Sequence, residues 1–251
     1  MIQLVERDFR IIDFLKHEGW VLSTQLSNRF FEGSRHTCSN RMRLLTKASI
    51  VETLNLSQFR ERFWHERGLL NLFCDLSGRT KVYRLSQNIR DSLGRRWQRA
   101  SSDFMLAHQV LLGSIRERIE TEFPHAIITA EASESLRIEV SNANTAAVPD
   151  LIAQMGNMRV AVELERKARR GLSTFNFAYE DRFQALSLEY DAVLYVVENE
   201  DHLGPLTKRA DGMRRVGFSS ILNLNEVFRC DREITSLASF IDEAKQYASL
   251  K

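Results

Sequence analysis

The first fifty residues place apolar side chains at the three- and four-residue spacing of amphipathic helices. The pattern predicts three helices, at about 5–18, 24–31 and 35–47. Gly19 is expected to end the first helix, and the hydroxyl of Ser23 is expected to cap the start of the second. The apolar residues that share one face of the third helix are Cys38, Met42 and Leu45.

Two short runs of apolar or alternating residues come later, at 69–75 and 81–85. Between them, the sequence Ser-Gly-Arg-Thr at 77–80 is typical of a turn. The two runs and the turn predict a β-hairpin, and its tip would carry the basic residues Arg79 and Lys81.

From about residue 101 onward, helical and strand-like patterns alternate, which is typical of a sheet covered by helices. The short sequence Gly156-Asn157 lies between two strand-like runs and predicts a tight hairpin turn. The predicted helices are at 104–123, 174–188, 206–215 and 234–247, and the predicted strands are at 126–130, 147–155, 158–164, 192–198 and 219–224. The continuous apolar run at 192–198 predicts a buried central strand. The fold class expected is α/β, or α+β over the whole chain, with a central mixed sheet.

The composition is that of an ordinary globular protein. The 251 residues are 43% hydrophobic and 27% charged, which argues against extended disorder. No apolar run approaches the roughly 18 residues of a transmembrane helix, and no secretory signal is expected. Cys38, Cys74 and Cys230 are far apart and form no CxxC pair, so neither a disulfide framework nor a cysteine zinc site is expected. We expect a soluble cytoplasmic protein.

The charge is distributed unevenly along the chain. Residues 1–100 contain eighteen Lys and Arg against ten Asp and Glu, a net charge of +8, whereas residues 101–251 have a net charge of −6. This asymmetry predicts two domains that meet at about residue 100, after an Arg- and Ser-rich linker at 86–101. A basic first domain suits a polyanionic partner such as nucleic acid.

Three short helices followed by a strand hairpin are typical of a winged helix-turn-helix. If the apolar face of the third helix packs inward, the side chains left outward for DNA are Arg35, His36, Ser39, Asn40, Arg43 and Lys47. Arg can bridge two acceptors of guanine and Asn can pair with adenine, while Arg79 and Lys81 would contact the backbone as a wing. Whether these side chains read bases or only hold phosphates stays open. The alternative is a helical domain whose basic face is merely solvated.

Three carboxylates are expected to converge in the second domain. Side chains alternate along a strand, so Glu163, Glu165 and Lys167 share one face. Counting outward from the turn at Gly156-Asn157 places Asp150 opposite Glu163. Converging carboxylates are suitable ligands for Mg²⁺ or Mn²⁺, so we expect a divalent cation held by Asp150, Glu163 and Glu165.

Two alternatives bear on this acidic site. The same residues would also fit an exposed edge strand that carries salt bridges. A further ligand could come from the long helix at 104–123, where the sequence does not decide between Glu117, Glu120 and Glu122.

Pro149-Asp150 followed by Glu163-x-Glu165-x-Lys167 resembles the motif of the PD-(D/E)xK nuclease superfamily. In this resemblance Glu165-Arg166-Lys167 matches the terminal (D/E)xK. It implies a restriction-endonuclease-like fold for residues 101–251. It also implies that the catalytic residues are Asp150, Glu163, Glu165 and Lys167.

A winged helix followed by such a domain is similar to the replication-relaxation group and its relatives, the MobC-type relaxases of mobilisable plasmids. His108 and the run from Tyr190 to Val197 also match that group, and the resemblance covers about residues 5–225. It implies metal-dependent, site-specific DNA nicking in plasmid mobilisation or conjugation, by phosphodiester hydrolysis or strand transfer. The implied partners are double-stranded DNA at a site such as a transfer origin, and accessory mobilisation proteins.

A metal-activated water is the expected attacker, in preference to Tyr179 or Tyr190. The alternative function is a non-catalytic winged-helix regulator of replication or transcription.

Overall fold

A computed structural model gives the structure of the chain. It describes residues 2–55, 80–93, 103–130, 148–165, 175–198, 201, 203–210, 213, 215–221, 223–229 and 234–248. The predicted strand at 69–75, Arg79 and Lys167 lie outside these described residues. The chain divides into two compact units, Met1–Ser114 and Ile115–Lys251.

Unit 1 contains helices and a small antiparallel sheet. Its elements are α1 (Glu6–Glu18), β1 (Val21–Leu22), α2 (Ser23–Phe30), α3 (Arg35–Lys47), β2 (Val51–Asn55), β3 (Lys81–Leu85), α4 (Gln87–Ser92) and the first part of α5 (Asp103–Glu122). The three predicted helices of the first fifty residues are confirmed. The predicted strand at 81–85 is confirmed as β3, which lies between β1 and β2 in the order β1-β3-β2.

The ends of these helices follow from local chemistry, with one correction. Gly19 ends α1 with φ 73°, a conformation that glycine adopts without a Cβ clash. The Ser34 hydroxyl caps α3 by accepting the Thr37 N–H at 3.4 Å. The predicted cap at Ser23 is wrong, because Ser23 is the first residue of α2 and its hydroxyl instead accepts the backbone N–H of Lys81 in β3.

The core of unit 1 is formed where α1, α2 and α3 meet the small sheet. Its buried side chains include Ile11, Leu15, Leu26, Cys38, Met42, Leu45, Val51, Tyr83 and Leu85. Burial raises the pKa of the Cys38 thiol to about 11, so this cysteine is a neutral packing residue. The predicted apolar face of α3 is therefore confirmed.

Unit 2 is built on a mixed seven-stranded sheet. Its elements are the rest of α5, β4 (Ile127–Ala130), β5 (Leu151–Met155), β6 (Met158–Glu165), α6 (Phe175–Glu189), β7 (Ala192–Val197), α7 (Leu203–Arg209), β8 (Val216–Ser220), β9 (Asn223–Phe228), β10 (Ile234–Ser236) and α8 (Leu237–Ala248). The strand order is β10-β9-β8-β7-β6-β5-β4. Strands β6, β7 and β8 are parallel and the other neighbours are antiparallel. The expected α/β class with a mixed sheet is confirmed.

The central strand is β7, and all six of its residues are buried as predicted. Helix α6 packs on this part of the sheet through Phe183. The Phe183 ring lies edge-on to Tyr195 of β7, with centroids 4.5 Å apart, and 5.8 Å from the ring of Phe218 in β8. This aromatic contact fixes α6 over β7 and so fixes the residues beside Phe183.

Two predicted elements near the end of the chain are wrong. The run at 219–224 is not one strand, because β8 ends at Ser220 and the Ser219 hydroxyl donates to the carbonyl of Asn223 across the turn into β9. The last helix begins at Leu237 rather than at 234. The Ser236 hydroxyl accepts the Ser239 N–H at its start, and the residues before it pair with β9 as β10.

Among the described residues, no helix has the length and apolar character needed to cross a bilayer.

Candidate nucleic-acid interface and acidic site

Helix α3 presents a basic face to solvent. All six residues that the sequence assigns to DNA binding on this helix are exposed: Arg35, His36, Ser39, Asn40, Arg43 and Lys47. The helix contains four Arg and Lys residues and no Asp or Glu. Its exposed face can therefore approach a polyanion without repulsion from an acid of its own.

Two polar side chains on the exposed face of α3 lie within hydrogen-bonding distance of each other. The Asn40 Nδ2 atom lies 3.3 Å from His36 Nε2, one helical turn away. An amide and an imidazole in this arrangement offer both donors and acceptors to a base edge. Lys81, predicted at the tip of a hairpin, is the half-buried first residue of β3 and lies opposite Asn55.

A buried ion pair holds α3 against α1. Asp8 is 0% exposed, and its carboxylate accepts the Arg41 Nε–H at 2.7 Å and the Val5 N–H at 2.7 Å. Arg41 Nη2 donates to the same carboxylate and, at 2.9 Å, to the carbonyl of Gln3. Arg41 thus positions the exposed face of α3. Helical spacing gives no sign of this role, because Arg41 is one of several arginines in α3.

The Asp8–Arg41 pair predicts a pH-dependent contribution to stability. Burial alone would raise the pKa of the Asp8 carboxyl, but the hydrogen bonds from Arg41 and Val5 hold that pKa below its ordinary value of 3.8. The pair therefore stabilises the fold fully above pH 3.8, and this contribution is lost as pH falls through the lowered pKa.

We expect Arg41→Ala to lower the free energy of unfolding by about 3 kcal/mol at neutral pH, because it leaves the Asp8 carboxylate buried without its partner. Urea unfolding of parent and variant should show a difference that shrinks below pH 3.8. A difference that is the same at all pH values would mean that the packing of the Arg41 stem carries the effect.

The predicted register of the acidic hairpin is confirmed. Leu151 pairs with Val162 and Met155 with Met158 about the turn at Gly156, whose φ is 64°. Asp150 directly precedes β5, at the level of Glu163. Its carboxylate Oδ2 accepts the backbone N–H of Leu164 at 2.7 Å. Asp150 and Glu163 are therefore neighbours across the hairpin, as the sequence indicates.

Glu163 is bound to an arginine that the sequence analysis did not identify. Its Oε1 accepts from Arg182 Nη2 of α6 at 2.6 Å, and the same nitrogen donates to the carbonyl of Val148 at 3.1 Å. Burial alone would lower the pKa of the Arg182 guanidinium, but Glu163, and to a smaller degree Tyr195 and Asp150, raise it. Arg182 is thus the counter-ion of this acidic pair.

The alternative of an exposed edge strand is wrong in its geometry. Strand β6 lies between β5 and β7, and Glu163 is only 6% exposed. The salt bridge that this alternative included is present, to Arg182. Glu165, two residues further along β6, is half-buried. Within the described ranges, no group of three His, Cys, Asp or Glu residues is placed to hold a metal ion.

Tyr190 and Glu120, also functional candidates in the sequence, have packing or ion-pair partners in the structure. Tyr190 is 3% exposed in the core of unit 2, beneath the Arg159 guanidinium at 5.0 Å, which is the place of a packing residue. Glu120 accepts from Arg116 Nε at 3.1 Å, and Arg116 also donates to the carbonyl of Ile128. His108 is half-buried in α5, and the side chain of Tyr179 lies outside the described residues.

Comparison of the chain with protein-family models, curated proteins and solved structures found no match.

Proposed function

We propose that the chain binds duplex DNA through the exposed face of α3. The observation that carries this proposal is the separation of residue types on α3. Cys38, Met42 and Leu45 of its inward face are at most 1% exposed, whereas Arg35, Asn40, Arg43 and Lys47 are exposed and the helix contains no acid. A helix of this kind fits the major groove, where Arg and Asn side chains pair with base edges.

The elements around α3 support the same function. Helices α1, α2 and α3 are followed by β2 and β3, and the short β1 joins them as a third strand. This order suits a winged helix, in which the third helix enters the groove and the strands that follow it form the wing. The Asp8–Arg41 pair holds α3 in one orientation, so its exposed side chains are positioned before DNA arrives.

We expect Arg43→Ala or Asn40→Ala to weaken binding to a selected duplex by about 1–3 kcal/mol if each side chain reads a base. Binding isotherms on the selected and on a random-sequence duplex measure this. The control is Lys208→Ala, which removes an exposed cation from α7 in unit 2. Equal losses on both duplexes would identify a phosphate contact, and no loss on either would contradict the proposed role of α3.

A second candidate function, favoured by the Asp150–Glu163 juxtaposition, is metal-dependent nicking of the bound DNA at a site such as a plasmid transfer origin. Carboxylate oxygens are the donors that Mg²⁺ and Mn²⁺ prefer, so the residues fit such an ion in donor type. Asp150 and Glu163 would hold it, with Arg182 competing for Glu163. Among the described residues, Glu165 does not complete a group of three placed for a metal ion. When bound, the ion would supply an activated water and charge stabilisation at the phosphate.

The protein's own residues have defined tasks in this function. Asp150 accepts the Leu164 N–H at Oδ2, which holds its carboxylate beside Glu163. Arg182 neutralises Glu163 when no other cation is bound. The guanidinium, whose side chain is 37% exposed, can also pair with a phosphate oxygen. The direct test is conversion of supercoiled to open-circular plasmid with Mg²⁺ or Mn²⁺. A chain that binds DNA but never nicks would be a non-catalytic regulator.

A further inference from the structure

The side chain of Asn40 lies against His36 on the exposed face of α3. Its amide nitrogen Nδ2 lies 3.3 Å from Nε2 and 3.4 Å from Nδ1 of the imidazole. Side chains of an α-helix point toward its N-terminus, which brings a residue onto the one four positions earlier. A neutral imidazole has one ring nitrogen that accepts a hydrogen bond, so the Asn40 amide can donate to His36 in either tautomer.

The helix beneath these two side chains is anchored on its inner side. Cys38 and Met42 are buried in the core of unit 1, and Arg41 pairs with Asp8 of α1. The backbone position of Asn40 is therefore set by the fold. The orientation of its exposed amide is set instead by the hydrogen bonds that the amide makes, because the last torsion of an asparagine side chain is soft.

The hydrogen bond to His36 determines which atoms of the amide remain for DNA. An asparagine amide has one carbonyl oxygen and two N–H groups. When the N–H on the Cβ side donates to His36, the oxygen and the second N–H lie together on the opposite edge. Adenine presents an amino donor beside an acceptor nitrogen in the major groove, and an edge with one acceptor and one donor matches it. An amide turned by half a rotation presents the two groups in the reverse order.

We propose that His36 is a positioning residue that holds the Asn40 amide in the orientation that reads adenine. The inference rests on the proposed binding of duplex DNA by α3 and deepens it, because it names the base that this part of the helix selects. Both residues lie in the N-terminal half of α3, the part of a recognition helix that contacts base edges.

The test is the base preference of the full chain at about pH 8, where a histidine side chain is ordinarily neutral. The probes are a duplex that the parent selects from a random pool and its single-site variants at each base pair. The base pair that Asn40 contacts is the one at which N40A no longer distinguishes the four bases. There the parent should prefer A·T, and H36L should reduce that preference about threefold to tenfold, the effect of one hydrogen bond.

Matched variants show whether His36 acts through Asn40. Leucine is a strong helix former, so H36L should keep α3 folded while removing the acceptor. H36Q keeps an acceptor that an asparagine four residues further on can reach, so it should restore the preference for A·T. The double variant H36L/N40A should bind as N40A does, because a positioning residue has no effect once the residue it positions is gone.

The outcomes separate the inference from the function on which it rests. An H36L protein that loses affinity equally for all four bases, or that keeps the parent's preference, would overturn the inference alone. The same holds for an H36Q protein that behaves like H36L, for a base other than adenine at the Asn40 position, and for an N40A protein with the parent's preference at every base pair. A parent that binds no duplex would overturn the proposed function and the inference together.

Discussion

Asp150→Asn is expected to reduce metal-dependent plasmid nicking about a hundredfold or more while leaving DNA affinity unchanged. The asparagine oxygen can still accept the Leu164 N–H, so the local backbone is retained and only the charge is lost. A ligand holds both the metal and the water that it activates, so its loss affects the rate strongly. Open-circular product over time measures the rate, and Mn²⁺ should raise the melting temperature of the parent more than that of the variant.

The matched control for this variant is Asp191→Asn. Asp191 accepts the backbone N–H of Arg159 at 2.9 Å, so it makes the same kind of contact at the other end of β6. A purely structural role for Asp150 predicts that the two variants behave alike in melting, in metal response and in nicking. An Asp150→Asn protein that nicks at the parental rate would end the nuclease proposal.

Arg182→Met is expected to lower the free energy of unfolding by about 2–3 kcal/mol without divalent metal. The change leaves the Glu163 carboxylate, 6% exposed, without its counter-ion. This cost lies below the 3–5 kcal/mol of a fully buried pair, because the Arg182 side chain is 37% exposed and solvent screens the charge. Urea unfolding at neutral pH measures the difference.

The double variant Glu163→Gln/Arg182→Met separates charge from packing. It removes the buried Glu163 charge together with its arginine and leaves only the Asp150 carboxylate of the pair charged, so it should recover most of the stability that Arg182→Met loses. If Arg182 competes with a metal for Glu163, Mn²⁺ should stabilise Arg182→Met more than the parent. A double variant no more stable than Arg182→Met would show that the arginine stem, rather than its charge, supports α6.

The features that the sequence predicts correctly are those set by residues close together along the chain. Helix α3 and its inward face follow from Cys38, Met42 and Leu45, because a helix repeats every 3.6 residues whatever its surroundings. The Asp150–Glu163 pairing follows from the turn at Gly156, because a two-residue turn sets the register of both strands.

The features of the fold and of the candidate site that the sequence does not predict depend on contacts between distant segments. Arg182 sits beside Phe183 on α6, and nothing in its local pattern indicates that the helix brings it to Glu163. The ion pair of Asp8 with Arg41 joins residues 33 apart in sequence, and the local sequence pattern around each residue gives no indication of it. The end of β8 near Ser219 and the start of the last helix after Ser236 cannot be predicted from the apolar pattern alone. Each of these hydroxyls hydrogen-bonds to a backbone group of the next element.

The hairpin of β5 and β6 also has a consequence for the order of folding. Asp150 reaches the Leu164 N–H across 14 residues by closing one tight turn, and hairpins of this kind form in about 1–10 μs. Arg182 reaches Glu163 only after α6 has formed and packed on the sheet through Phe183. During that interval the nascent hairpin carries two adjacent negative charges without their arginine. Cations in solution can screen this repulsion, so the ionic composition during refolding acts directly on the β5–β6 hairpin.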